Sequence, residues 1–322
     1  MKIDSPVTLF TVLVGVILIF LPWILPAYFL TLIIRILFFG LLAMSLAFLA
    51  GQGGMVSLGQ TAFFGTSAYA VALLSTRLGF SLPYAFVIAV VIATLLGVLF
   101  GVLAIKTHGV YFLMLTLALG QIMWGLSYQW ISVTRAYDGL PGVRAGTVAG
   151  INFNVPVNFY FLLLAVFIGV VYLLKVIVNS SFGLALRGVR ESPSRMEALG
   201  YPVFLIRYLA FVFSAMVAGI AGVFYAYFTG IVNPAPLDLT RAVWVLMVTI
   251  LGGMEFLSGA ILGTTIVVFM EILISQVTER YMIVIGVVFL MVILFAPEGI
   301  MGYLYSKKRT GKRGKKFWEL IF

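Results

Sequence analysis

Cysteine is absent from this 322-residue chain, and histidine occurs once, at position 108. Without cysteine there is no disulfide and no thiolate metal site, and the redox compartment leaves no mark. A lone histidine cannot build a histidine-based metal centre. A Ser–His nucleophile would have to use His108, which stands in a short turn after Lys106. Charge is equally scarce, at 9% of residues against roughly 25% in soluble domains. No Gly-x-x-x-x-Gly-Lys-Ser/Thr phosphate loop occurs anywhere in the chain. These gaps argue against a membrane-embedded enzyme and against an ATPase site within this chain.

What fills the chain instead is apolar sequence, 63% of it, with a mean hydropathy of +1.19. A spanning helix takes about 20 apolar residues. Glycine, proline and charge punctuate the chain into ten apolar segments at 7–25, 28–50, 57–76, 83–105, 110–131, 158–178, 206–229, 239–252, 257–277 and 281–297. The expectation is an all-α polytopic membrane protein of about ten transmembrane helices, with no stretch polar enough for a soluble domain. The first segment follows Lys2 as a signal peptide would, but no small-x-small cleavage site follows it. Trp23 between Pro22 and Pro26 reads as an interfacial stop, so the segment is taken as a span. The eighth is short and ends at Gly252-Gly253, which predicts a tilted helix, a broken one, or one begun in the preceding loop.

Basic residues set the expected orientation. With both termini inside, Lys2, Lys106, five Lys and Arg of 175–207 and seven of the 307–316 run lie on the cytoplasmic side. Arg77, Arg135, Arg144, Arg241 and Arg280 lie outside, and Arg35 falls within a span. The expected location is the plasma (inner) membrane of a prokaryote. The chain divides into a transmembrane domain, 1–303, which includes a cytoplasmic loop at 179–205, and a basic tail, 304–322. That tail carries most of the +10 net charge, and after a span such a run meets anionic lipid headgroups rather than nucleic acid.

Polar residues inside the spans call for a reason, since a charge at mid-bilayer costs roughly 2.5–3.5 kcal/mol on insertion scales. Arg35 and Glu271 would lie at similar depth, roughly 10 Å from the outer surface at 1.5 Å per residue. The expectation is that they pair, joining two helices or lining a substrate path; the open alternatives are a snorkelling Arg35 and a Glu271 facing a wet cavity. Gly51, Gly53, Gly54 and Gly59 mark a tight turn between spans or a broken helix beside a path. Ser57, Gln60 and Thr61 offer hydrogen bonds there. Asp138-Gly-Leu-Pro-Gly142 is a turn by composition.

The 179–205 loop carries signals for two short helices. Ser180 or Ser181 can cap a helix running through Phe182 to Arg190, with Arg187 and Arg190 on one face. Ser192-Pro193 starts a second, which Gly200 stops and Pro202 keeps from resuming. Its Met196, Ala198 and Leu199 have no evident core to enter. Such a knob either rests on the membrane surface or fits a cytoplasmic partner.

Here the chain resembles a known family. Ser181-Phe-Gly-Leu-Ala-Leu-Arg-Gly-Val-Arg-Glu191 with Glu197-Ala-Leu-Gly200 looks like the cytoplasmic loop of the branched-chain amino acid permeases of ABC importers, in the smaller-loop subunit of the permease pair. Gly51–Gly65, Asp138–Gly142, Leu251–Gly259 and Phe295–Gly302 agree in order, over about residues 30 to 303. The resemblance implies a type II ABC importer permease with two inverted-topology halves. It further implies a sister permease, two cytoplasmic ATP-binding subunits and an extracellular or periplasmic solute-binding protein. The chain itself would hold no cofactor; ATP and Mg would sit on the partners. Phe182, Gly183, Leu184, Arg187, Arg190, Glu191, Glu197, Ala198, Leu199 and Gly200 would couple to the ATPase. Asp138, Gly139 and Pro141 would help dock the binding protein. Ser57, Gln60, Thr61, Gln121, Arg35 and Glu271 would line the substrate path. The family often has His where Gln60 stands and Glu where Gln121 stands, so any proton role there is in doubt. Urea or short amides are alternative cargoes, and an ion-coupled secondary transporter is the alternative machine, with Glu271 as its clearest interior carboxylate.

Overall fold

The computed structural model describes Pro22 and residues 26–148, 150–276, 280–295 and 299–303. The span predicted at 7–25, apart from Pro22, and the basic tail from residue 304 lie outside the described residues. The element order is α1 (Ala27–Ala47), prolonged by a π-helical turn at Phe48–Gln52, then α2 (Gln60–Thr76), α3 (Leu82–Ala104) and α4 (Val110–Gln129). After a connection holding β1 (Leu140–Pro141), β2 (Thr147–Val148) and β3 (Ile151–Asn152) come α5 (Pro156–Asn179), α6 (Ser181–Glu191), α7 (Pro193–Ala198) and α8 (Val203–Thr229). The chain continues through β4 (Ile231–Val232), α9 (Leu239–Gly252), α10 (Leu257–Ser275) and α11 (Tyr281–Phe295). Among the described residues, six helices are long and apolar enough to cross a membrane: α1 with its π turn, α3, α4, α5, α8 and α10. The architecture is all-α and polytopic.

In lipid, helices gain little from leaving one apolar solvent for another, so close packing holds them together. In α3 the residues at four-residue spacing are Ala85, Ala89, Ala93, Gly97 and Gly101, all buried, while Val87, Val91, Leu95 and Leu99 are exposed. This small-residue stripe lets α8 approach closely. A methyl at Gly97 would stand 2.5 Å from Ala215 Cβ, and one at Gly219 would stand 2.8 Å from Ala93 Cβ. α1 is the central helix: 89% of its apolar window is buried, against 22% for α3. A helix apolar on every side belongs in the middle of a bundle.

One predicted boundary shifts, for an identifiable reason, and the short eighth span keeps its predicted bounds, 239–252. α2 begins at Gln60 rather than 57 because side chains claim the preceding amides: Leu58 N–H donates to Thr116 Oγ1 at 3.2 Å and Gly59 N–H to Ser57 Oγ at 3.1 Å. The stretch before α2 is thus non-helical yet buried at Met55, Ser57, Leu58 and Gly59. The short span α9 has 14 residues, about 21 Å at 1.5 Å per residue. It starts at Asp238, whose Oδ1 accepts the Leu239 N–H at 2.7 Å, and the chain before it dips into the protein. Val232 and Leu237 are fully buried, and Leu237 fills the space over Gly65, where a Cβ would meet its Cγ at 2.3 Å.

Candidate functional site: the loop knob and the buried polar seam

The loop between α5 and α8 folds as its local signals dictate. Ser180 serves both neighbours: its Oγ donates to the Ile177 carbonyl at 2.7 Å and accepts the Gly183 N–H at 3.4 Å, ending α5 and capping α6. Gly183 must lack a side chain, since a Cβ would stand 2.3 Å from the Val178 carbonyl oxygen. Arg187 turns back along α6, donating to Gly183 O in its own helix at 3.3 Å and to Val178 O at 2.8 Å, and so satisfies a carbonyl at the end of α5. α7 starts at Ser192-Pro193 and closes in a Schellman motif. Gly200, at φ +82°, donates to Glu197 O at 2.9 Å, and Tyr201 N–H reaches Met196 O at 3.0 Å.

The knob has two sides. Gly183, Leu186 and Val189 are buried against the chain's own helices, and Phe182 and Met196 are partly buried against the same core. Leu184 and Leu199 face away, 69% and 70% exposed, with Arg187, Glu191, Glu197, Ala198 and Gly200 also exposed. Arg190 belongs to neither group. Its guanidinium donates to the Gly51 carbonyl in the π turn after α1 and pairs with the Glu255 carboxylate between α9 and α10. The predicted coupling set is therefore split between an outward surface, an inward face and one inward-reaching arginine.

A polar seam runs through the apolar core above the knob. Ser57, Gln60 and Thr61 are each 1% exposed. Ser45 Oγ donates to Leu42 O at 2.7 Å and approaches Gln60 Oε1 at 3.3 Å, while Ser214 Oγ donates to Ser45 O at 2.7 Å. The Gln60 amide nitrogen is buried without a hydrogen-bond partner among the described residues. Arg35 on α1 and Glu271 on α10 stand together, Nη2 to Oε1 at 3.7 Å. Gln121 on α4 is half-buried. Sequence reasoning passed over Ser45, Ser214 and Thr116, whose signal was a small hydroxyl within an apolar helix.

The profile of the family described as "Branched-chain amino acid transport system / permease component" matches residues 28–294, from the first turn of α1 to the last of α11. The chain belongs to this permease family. It is 25% identical over 284 residues to the Escherichia coli K12 "High-affinity branched-chain amino acid transport system permease protein LivM", covering 81% of this chain and 67% of that protein. It is 27% identical over 240 residues to the Methanocaldococcus jannaschii "Probable branched-chain amino acid transport permease protein LivH", covering 70% and 75%. No solved structure matches.

In this permease the end opposite the knob is built from both parts of the chain. The predicted turn at Asp138–Gly142 is no free turn: Leu140-Pro141 pairs antiparallel with Ile231-Val232, and Val143 N–H donates to Gly230 O at 3.1 Å. Gly139, at φ +66°, is buried where a Cβ would stand 2.5 Å from Val232 O, while Asp138 and Pro141 stay exposed. Only a residue without a side chain fits there. A cavity of about 400 Å³ opens at this end, between Thr31, Arg144, Asn154, Phe159 and Tyr227. A second, of about 280 Å³, lies at the knob end between Gly54, His108 and Arg207. The seam residues Ser57, Gln60 and Thr61 line neither.

Proposed function

We propose that this permease is the membrane-spanning subunit of an ATP-driven importer of branched-chain or similarly small apolar amino acids. It works with a sister permease, two cytoplasmic ATP-binding subunits and an external solute-binding protein, in two inverted halves with both termini cytoplasmic. The observation that carries this reading is the two-sided knob. A segment resting on lipid would turn its apolar side to the membrane; α6 instead turns Leu186 and Val189 to protein, and the knob leaves Leu184 on α6 and Leu199 at the end of α7 outward among charges. Short helices held by a serine cap and a Schellman closure transmit a push rather than absorb it. The chain has no phosphate-binding loop, so the energy enters from another subunit, and this is the surface built to receive it. Few interior charges suit a zwitterion with an apolar side chain, and the named relatives carry the assignment of cargo.

The test is Leu199→Asp in the co-expressed complex. Leu199 is exposed, so the fold has no need of it. The variant should reach the membrane at normal level, bind its ATPase subunits roughly thirtyfold more weakly, as loss of an interface anchor does, and lose uptake. Normal ATPase retention together with normal uptake would contradict the reading.

A further inference from the structure

We infer that Arg190 is the fastening that ties the knob to two sequence-distant segments of the membrane domain at once, a positioning residue that carries knob movement to the end of α1 and to the α9–α10 turn together. This deepens the reading of the knob as the ATPase docking surface and rests on it.

The geometry is a three-way junction. One Nη of Arg190 donates to the carbonyl of Gly51, and the other meets the carboxylate of Glu255. Gly51 and Glu255 lie 204 positions apart in sequence, yet their segments already touch. A Cβ at Gly51 would stand 2.2 Å from Met254 O and 3.1 Å from Glu255 Cα, and Gln52 Nε2 reaches Glu255 O at 3.5 Å. The stem of Arg190 is seated as well. Gly54, at φ +65°, leaves room where a Cβ would meet Arg190 Cγ at 2.8 Å, and Leu186 one turn earlier lies over Gly53.

Each partner is a place where regular helix fails. The π turn at Phe48–Gln52 closes α1, where carbonyls run out of intrahelical donors. The chain at Gly253 leaves α9 at φ +105°. An arginine fork can serve two acceptors in different directions, which a lysine ammonium on the same stem does less well. The Arg190 and Glu255 side chains are 37% and 62% exposed, so the ion pair adds little to stability. A bond of that kind can be made and broken during a cycle, and its loss leaves the fold intact. The junction therefore links three segments without being needed to hold the bundle together.

The experiment uses the whole complex in liposomes, with leucine as the transported probe, and reads leucine moved per ATP hydrolysed. Arg190→Ala should keep its ATPase subunits and its ATP hydrolysis, while leucine per ATP falls roughly threefold to thirtyfold, the range for residues along a coupling route. Arg190→Lys should fall between this and the parent. Glu255→Gln, altered on the other side of the junction, should lower the ratio in the same direction. A ratio unchanged in Arg190→Ala would overturn the inference. So would loss of ATPase subunits from Arg190→Ala on purification, which would place Arg190 on the docking surface instead. Leu199→Asp in parallel reports on docking alone, so failure of that reading shows separately: retained ATPase and normal uptake there would overturn it whatever Arg190 does.

Discussion

A methyl group added at Gly222 would stand 1.9 Å from the Phe64 carbonyl oxygen and 2.2 Å from Ser67 Oγ. Backbone cannot withdraw as a flexible side chain can, so α8 and α2 would have to part. Gly222→Ala should cost about 1–3 kcal/mol, the usual penalty for overpacking, seen as a lower melting temperature in detergent. Gly169→Ala is the control, since nothing stands within 4 Å of its Cβ position; it should leave the melting temperature unchanged or slightly raised through helix propensity. Equal effects of the two substitutions would show that close approach at Gly222 is not what matters. At this scale the sequence was readable wherever the cause was local. Ser180, Ser192-Pro193 and Gly200 announced the loop helices, and the structure places all three in those roles. The acceptors of Arg190 were not readable, because a carbonyl at Gly51 and a carboxylate at Glu255 come together only in three dimensions.

Between elements, the ion pair of Arg35 with Glu271 joins α1 to α10. Sequence depth had suggested it, and the two groups do stand 3.7 Å apart. Breaking a buried pair costs several kcal/mol. Here the side chains are 33% and 17% exposed, so about 1–2 kcal/mol is expected after solvent screening. Arg35→Glu and Glu271→Arg should each lower folded yield and uptake, and the double exchange should restore most of both. If the exchange recovers no more than either single change, the pair does not join these helices in the working protein. Helix positions were legible because apolar runs and their breakers are local; α5, α8 and α10 fall within a few residues of their predicted spans. The late start of α2 and the pairing of Leu140-Pro141 with Ile231-Val232 depend on distant partners. No window of sequence contains both sides of such a contact.

For the molecule as a whole, the basic residues separate by end. Lys106, Lys175, Arg187, Arg190, Arg195 and Arg207 belong to the end that carries the knob, and Arg77, Arg135 and Arg144 in connections and Arg241 at the start of α9 to the other. By the positive-inside rule this asymmetry supports the proposed orientation, with the knob end toward the cytoplasm. The non-helical segment before α2, the C-terminal end of α9 and the knob meet at that same end, where force is proposed to enter. The polar seam at Ser45, Gln60 and Ser214 is buried. The most direct measurement is leucine uptake into liposomes holding this permease, its sister permease and their ATPases. ATP is trapped inside, solute-binding protein is added outside, and an ionophore abolishes ion gradients. The account predicts accumulation that requires both ATP and the binding protein. Uptake that proceeds without ATP and stops when the ionophore is added would contradict it.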